Sequence, residues 1–384
     1  MIHIQNIELY TPEKMGRKDL LISNQKIEGI FEPHSVFSGM EMEVIDGSEM
    51  MAFPGLIDAH VHIAGAGGEG GPASRTPEVK MSQLIEGGIT TVIGCLGTDG
   101  FARNLESVLM KVKALRTEGI SAWMYTGAYQ IPTPTFFGDV GKDIALIEEI
   151  IGTGEIAISD HRSSCPSLQE LTRLASHARV GGMLGGKSGI INIHMGDAKD
   201  PFRPLYEVVK NSELNFGVFL PTHINRNAYI FEDAKEYGKV GYVDITSSSY
   251  PYFQDEEIKP STAIIELLKA GVPNNHITMT SDACGSLPGF NQAGELIKLE
   301  IGLPVSLFNE FRDAVKEGLE IEKALPVVTS NVARILKLKN KGQLAKGLDA
   351  DLVLCNKNFE LEYVMAMGQW CMYQKQIIKK GTYE

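Results

Sequence analysis

The chain has 384 residues, 43% of them apolar, with 36 Lys and Arg against 48 Asp and Glu, for a formal charge of -12. That length accommodates one large domain with a smaller companion, and the apolar fraction supplies a folded core. The acidic balance, spread rather than blocked, argues against nucleic acid or an anionic membrane as partner, since both require a basic face that releases counterions.

Small molecules are the expected partners. The opening MIHIQNIELYTPEK lacks the basic and apolar segments of a secretory leader. No apolar run reaches the roughly eighteen residues of a membrane span. Cys95, Cys165, Cys284, Cys355 and Cys371 follow no framework spacing, so reduced cysteines in a cytoplasmic protein are expected.

Residues 1–51 consist of short alternating runs split by polar turns, as in MIHIQNIELY and KDLLISNQKIEGIF, and read as strands. Residues 339–384 resemble them, with DADLVLCN and FELEYVMAMGQWCMYQKQII, so a small β-sandwich domain built from both ends of the chain is predicted around residues 52–338. Within 52–338, eight apolar runs follow one another: GLIDAHVHI, TTVIGCLG, SAWMYTGAY, EIAISD, IINIHMG, FGVFLPTH, GYVDITSS and ITMTSDA. Helical patterns separate them. Thr76, Pro77 and Glu78 read as a helix start, and DIALIEEIIG and PSTAIIELLKAG carry helical spacing. Eight such units predict a closed (β/α)8 barrel, and no glycine-rich phosphate fingerprint after the first strand favours an open doubly wound sheet.

In such a barrel the site gathers at the C-terminal ends of the strands. His60 and His62 close the first run as HVH, and a period of two puts both imidazoles on one side. His194 closes the fifth run, His223 the sixth and Asp282 the eighth. Each histidine alone reads as a structural residue; together with an aspartate they form a metal-ligand set. The set is larger than one catalytic ion with an open position takes. Two ions would use it, and they need an anion between them. Glu155, at the start of EIAISD, reads equally as that bridging carboxylate and as a surface glutamate at a loop-to-strand junction.

HVHIAGAGGEGGPASRTPE, LGTDG, TGAY, AISDHRS, HMGD, PTHINRN, ITSS and SDACGS, in this order between residues 54 and 290, resemble the isoaspartyl dipeptidases of the amidohydrolase superfamily. The resemblance implies a metal-dependent hydrolase of β-aspartyl dipeptides, acting through a hydroxide that bridges two divalent ions. His60, His62 and Asp282 would hold one ion and His194 and His223 the other, with zinc the default metal. Where that family typically carries a carboxylated lysine, this chain has Glu155, a bridge of the same charge and shorter reach. Asp282 would shuttle the proton and Tyr129 would stabilise the oxyanion. For the substrate, the resemblance implies Glu69 against the ammonium, Gly67 and Thr98 as further contacts, Arg162 and Arg226 on the carboxylates, and Ser286 as a donor. It also implies a homo-oligomer, an octamer among the forms. Two other readings compete: a cyclic amide hydrolase of the dihydroorotase or hydantoinase kind, and a non-catalytic scaffold. The glycine cluster AGAGGEGG is expected to be a flexible flap that brings backbone close to substrate.

Overall fold

The computed structural model describes residues 1–39, 41–291, 293 and 295–384. All eight expected strands are present: Leu56–Val61, Ile89–Gly94, Ser121–Thr126, Ile150–Ala157, Ile190–His194, Phe219–Thr222, Val243–Thr246 and Ile277–Thr280. The first six pair in parallel as one sheet and the last two as another. Three backbone hydrogen bonds close the circle. Ile224 N donates to Asp244 O (3.3 Å), joining the sixth strand to the seventh, while Asp282 N donates to His60 O (3.1 Å) and His62 N to Ala283 O (2.9 Å), joining the eighth to the first. A βα barrel covers both faces of its sheet, and every residue of these eight strands except Trp123 is buried, the polar ones included. Ile57, Ala59, Ile93, Cys95, Tyr125, Ile151, Ile190 and Leu220 fill the interior below the site, with Val332 and Leu336 packed in the same cluster.

The outer helices start where side chains cap them. Asn104 accepts from Ser107 N ahead of Leu105–Glu118, and Ser167 and Glu170 form a capping box ahead of Leu168–Gly185. Two expected boundaries are corrected. The first helix starts at Met81, not Pro77, because the Thr76 hydroxyl accepts from Ala66 N (2.6 Å) and donates to Cys284 O (2.6 Å), pinning a loop instead. The helix expected over DIALIEEIIG runs from Val140 to Leu146, and its end residues Ile150 to Gly152 belong to the fourth strand. That strand therefore begins five residues before Glu155. Its glycines allow close packing: a Cβ on Gly152 would stand 2.4 Å from Ile190 O.

The small β domain is a nine-stranded sheet drawn from both ends of the chain. Leu352–Asn356 pairs antiparallel with Met50–Pro54, which lies beside Ile2–Tyr10. Ile4, Leu20, Ala52, Leu352 and Leu354 belong to its separate core. Met50–Pro54 leads into the first barrel strand through Gly55 alone. Gly55 is fixed there by its N–H to Asp351 O (2.9 Å), and a Cβ would lie 2.2 Å from the Thr90 hydroxyl.

Candidate active site

The barrel strands bring the six expected metal-binding side chains to one place. The His60 and His62 ring centroids lie 5.4 Å apart, those of His60 and His223 5.4 Å, and those of His194 and His223 4.7 Å. His223 (φ 63°) and Asp282 (φ 54°) sit just past their strands in the left-handed region. For residues with a Cβ this costs about 1–2 kcal/mol each, strain of the kind that collects at functional sites.

Glu155 is 1% exposed and lies within the fourth strand. The surface reading of this residue is excluded. Its Oε1 is 2.6 Å from His194 Nδ1 and 2.8 Å from His223 Nε2. Its Oε2 is 3.4 Å from His60 Nε2 and 3.8 Å from His62 Nε2. Each carboxylate oxygen thus faces a different histidine pair. Burial acts to raise the Glu155 pKa, but the charges of His60 and His194 and the hydrogen bonds of His194 and His223 outweigh it and hold the group well below the ordinary glutamate value. Asp282 Oδ1 approaches the first pair from the other side, 3.0 Å from His62 Nε2 and 3.6 Å from His60 Nε2.

The donor set fits divalent ions. Both His60 nitrogens are buried without a hydrogen-bond partner among the described residues, a costly state for polar atoms unless something else satisfies them. His60, Glu155 and His223 offer ligand atoms within 4.8 Å of one another. Imidazole nitrogens and carboxylate oxygens are donors that zinc and similar ions take.

Above this cluster opens a cavity of about 620 Å³. Tyr129 is 5% exposed, with its hydroxyl 2.8 Å from His194 Nδ1. Burial, reinforced by the Glu155 charge, raises its pKa well above the ordinary phenol value, so it remains a donor at neutral pH. Glu69 accepts from the Ser286 hydroxyl (2.7 Å) and lies 3.5 Å from Arg162 Nη1. Three of the expected substrate contacts therefore meet across the cavity mouth. Thr98 and Arg226 also line the cavity, whereas Gly67 does not. Gly67 (φ 80°) shapes the loop instead, since a Cβ there would approach Ser74 O to 2.5 Å. The glycine-rich loop is anchored at its base rather than loose, because the Arg103 guanidinium donates to Ala64 O (2.5 Å), Ala66 O (2.9 Å) and Thr76 O (2.9 Å).

Sequence pattern does not single out Asp160, yet it organises this rim. Arg162 grips it with two parallel hydrogen bonds, Nε to Oδ1 (2.9 Å) and Nη2 to Oδ2 (2.8 Å). Its Oδ2 also lies 3.0 Å from His194 Nε2 and 3.7 Å from Arg226 Nη1. A carboxylate between the fourth strand and an arginine in SDHRS is the available signal. Glu257 is a second unanticipated lining residue, and burial pushes its pKa up to about 7 against a hydrogen bond from Ser249 and the Arg226 charge. An antiparallel hairpin, Ser286–Phe290 with Leu296–Ile301, forms a further wall, again without a clear sequence signal.

Comparison with known proteins places this geometry. The model of the Amidohydrolase family matches residues 221–371. The crystal structure of a beta-aspartyl dipeptidase from Fervidobacterium islandicum AW-1, in complex with beta-Asp-Leu dipeptide, is 39% identical, with a TM-score of 0.92 over 100% of this chain and 99% of that one. A D-hydantoinase structure shares the fold at 16% identity, with a TM-score of 0.71 over 100% of this chain and 97% of that one. The dihydroorotase of Elusimicrobium minutum is 24% identical over 94% of this chain and 89% of its own. Likeness of this extent to the Fervidobacterium enzyme, on a barrel that gathers four histidines and two carboxylates, means that the chain belongs to the beta-aspartyl dipeptidases of the amidohydrolase superfamily.

Proposed function

We propose that the chain hydrolyses the isopeptide bond of β-aspartyl dipeptides at a centre of two divalent ions, with zinc as the metal. The observation that carries this reading is the placement of Glu155, whose two oxygens face the His60–His62 pair and the His194–His223 pair separately. His60, His62 and Asp282 would hold one ion and His194 and His223 the other, with Glu155 supplying the anion between them. Ions held there would bring the pKa of water down toward neutrality and polarise the scissile carbonyl.

The remaining steps belong to the polypeptide. Asp282 is kept ionised: burial acts to raise its pKa, but the hydrogen bond and charge of His62 and the charge of His60 prevail. It therefore accepts the proton of the attacking water and returns it to the leaving amine, which departs neutral rather than as a strongly basic amide anion. Tyr129 donates to the oxygen that becomes negative in the tetrahedral transition state. Glu69 pairs with the substrate ammonium and Ser286 donates to a neighbouring acceptor. Arg226, with a side chain 32% exposed, receives a substrate carboxylate, while Arg162 is held by Asp160 with Nη1 turned toward Glu69.

Metal-loaded protein should cleave β-Asp-Leu and leave α-Asp-Leu intact, with about two ions per chain by metal analysis. Preference for dihydroorotate would instead favour the cyclic amide reading, which the dihydroorotases among the sequence relatives support. An inactive protein that binds no ion would establish the scaffold reading. Tyr129→Phe should lower kcat by about 10²- to 10³-fold with little change in KM, as for loss of one oxyanion donor. Steady-state kinetics decide this, and an unchanged kcat removes Tyr129 from the mechanism.

Glu257 predicts a pH dependence. Its pKa of about 7 leaves it neutral below that value and charged above it. A negative charge near Arg226 competes with the substrate carboxylate, so KM should rise as pH increases through 7. Glu257→Gln should flatten that rise. A KM profile identical in the two proteins would contradict the assignment.

A further inference from the structure

Three of the four site histidines have their outward nitrogen engaged. His223 Nδ1 is 2.6 Å from the Thr246 hydroxyl, and His194 Nε2 is 3.0 Å from Asp160 Oδ2. For His62, the group in this place is a sulfur: Cys95 Sγ lies 3.8 Å from Nδ1. Cys95 is 0% exposed, at the end of the second barrel strand and within the plug below the site. Its thiol has a second neighbour that can only accept, Val61 O at 3.7 Å from the sulfur. A thiol hydrogen directed to that carbonyl leaves the sulfur lone pairs to accept from His62 Nδ1. The ring also sits close over Gly97, where a Cβ would lie 2.8 Å from His62 Cε1.

We infer that Cys95 is a positioning residue for His62, accepting its Nδ1–H so that, once Nε2 gives up the proton it shares with Asp282 to an incoming ion, its lone pair points at the cluster formed with Glu155 and Asp282. An imidazole whose outer N–H is fixed loses neither an orientation nor a tautomer when it binds an ion, and this raises its affinity as a ligand. Neither nitrogen of His60 has a hydrogen-bond partner among the described residues, and the Cys95 sulfur stands within 4.8 Å of a nitrogen of each ring of the pair. The consequence is that the first histidine pair depends on Cys95 for its preorganisation. This inference rests on the proposed metal centre.

The test is metal affinity, measured by competition with a chromogenic chelator on full-length protein loaded with zinc or cobalt. Cys95→Ala should weaken binding of one of the two ions about 10- to 100-fold, the usual loss for an outer hydrogen-bond partner. Cys95→Ser keeps a hydroxyl that can donate to Val61 O and accept from His62, and should recover part of that loss. Gly97→Ala pushes on the ring with the sulfur intact and should weaken the same ion, which covers the case of a Cys95 variant that fails to fold. Cobalt-loaded wild-type protein should lack a thiolate-to-cobalt charge-transfer band. Unchanged affinity in Cys95→Ala overturns the inference, as does serine performing no better than alanine. A charge-transfer band lost in Cys95→Ala also overturns it, by making the sulfur a ligand itself. Wild-type protein that binds no ion would sink the proposed centre and this inference together, whereas two bound ions with any of the preceding failures would sink this inference alone.

Discussion

Glu155→Ala is expected to lower kcat by about a thousandfold or more and to reduce the metal content of the purified protein. The magnitude follows from the several kcal/mol of charge stabilisation that a metal centre supplies, at about 1.4 kcal/mol per tenfold. In the proposed centre, removing the carboxylate would leave four histidines and Asp282 around two cations with no anion between them. Glu155→Gln separates charge from shape: the amide fills nearly the same space, cannot neutralise the cations, and should behave like alanine. With Glu155 as the proposed bridge, native to the chain, wild-type activity and metal content should not respond to added bicarbonate. Metal analysis and kinetics across a bicarbonate titration check both points. A strong bicarbonate requirement, or full activity in Glu155→Gln, would place the bridge elsewhere.

Asp282→Asn should separate binding from proton transfer. The amide can still offer an oxygen near His62 but can no longer take up a proton, so kcat should fall by about 10²- to 10⁴-fold, the range for a lost general acid–base group. KM should change little. The loss should be smaller with β-aspartyl anilides carrying good leaving groups, which need less protonation to depart. If the deficit is the same for good and poor leaving groups, Asp282 acts as a ligand only.

The barrel was legible because every strand carries a short, mainly apolar run and the helices between them show caps or helical periodicity. The site histidines were legible for a related reason: a polar residue closing an apolar strand stands out, and HVH shows its alternation directly. Glu155 was only half legible. IIGTG resembles a loop in composition, yet its glycines serve close packing against the fifth strand, so the fourth strand extends through them and buries the carboxylate. Thr76 shows the reverse error, since a good capping residue next to a proline is spent on tying Ala66 to Cys284. Asp160, Glu257 and Cys95 had no periodic signal. Their surroundings are set by groups 34, 31 and 33 residues away in the chain, His194, Arg226 and His62 respectively, and no local pattern encodes such distances.

The short passage through Gly55 carries an implication for how this chain can vary. Met50–Pro54 is held in register by the terminal sheet and Leu56–Val61 by the barrel, so the stretch between them has no slack to take up an extra residue. A one-residue insertion or deletion there would turn the barrel strand over and send both imidazoles of the HVH motif toward the surrounding helices. Homologues should therefore differ in this stretch by substitution and keep its length, with insertions confined to the loops.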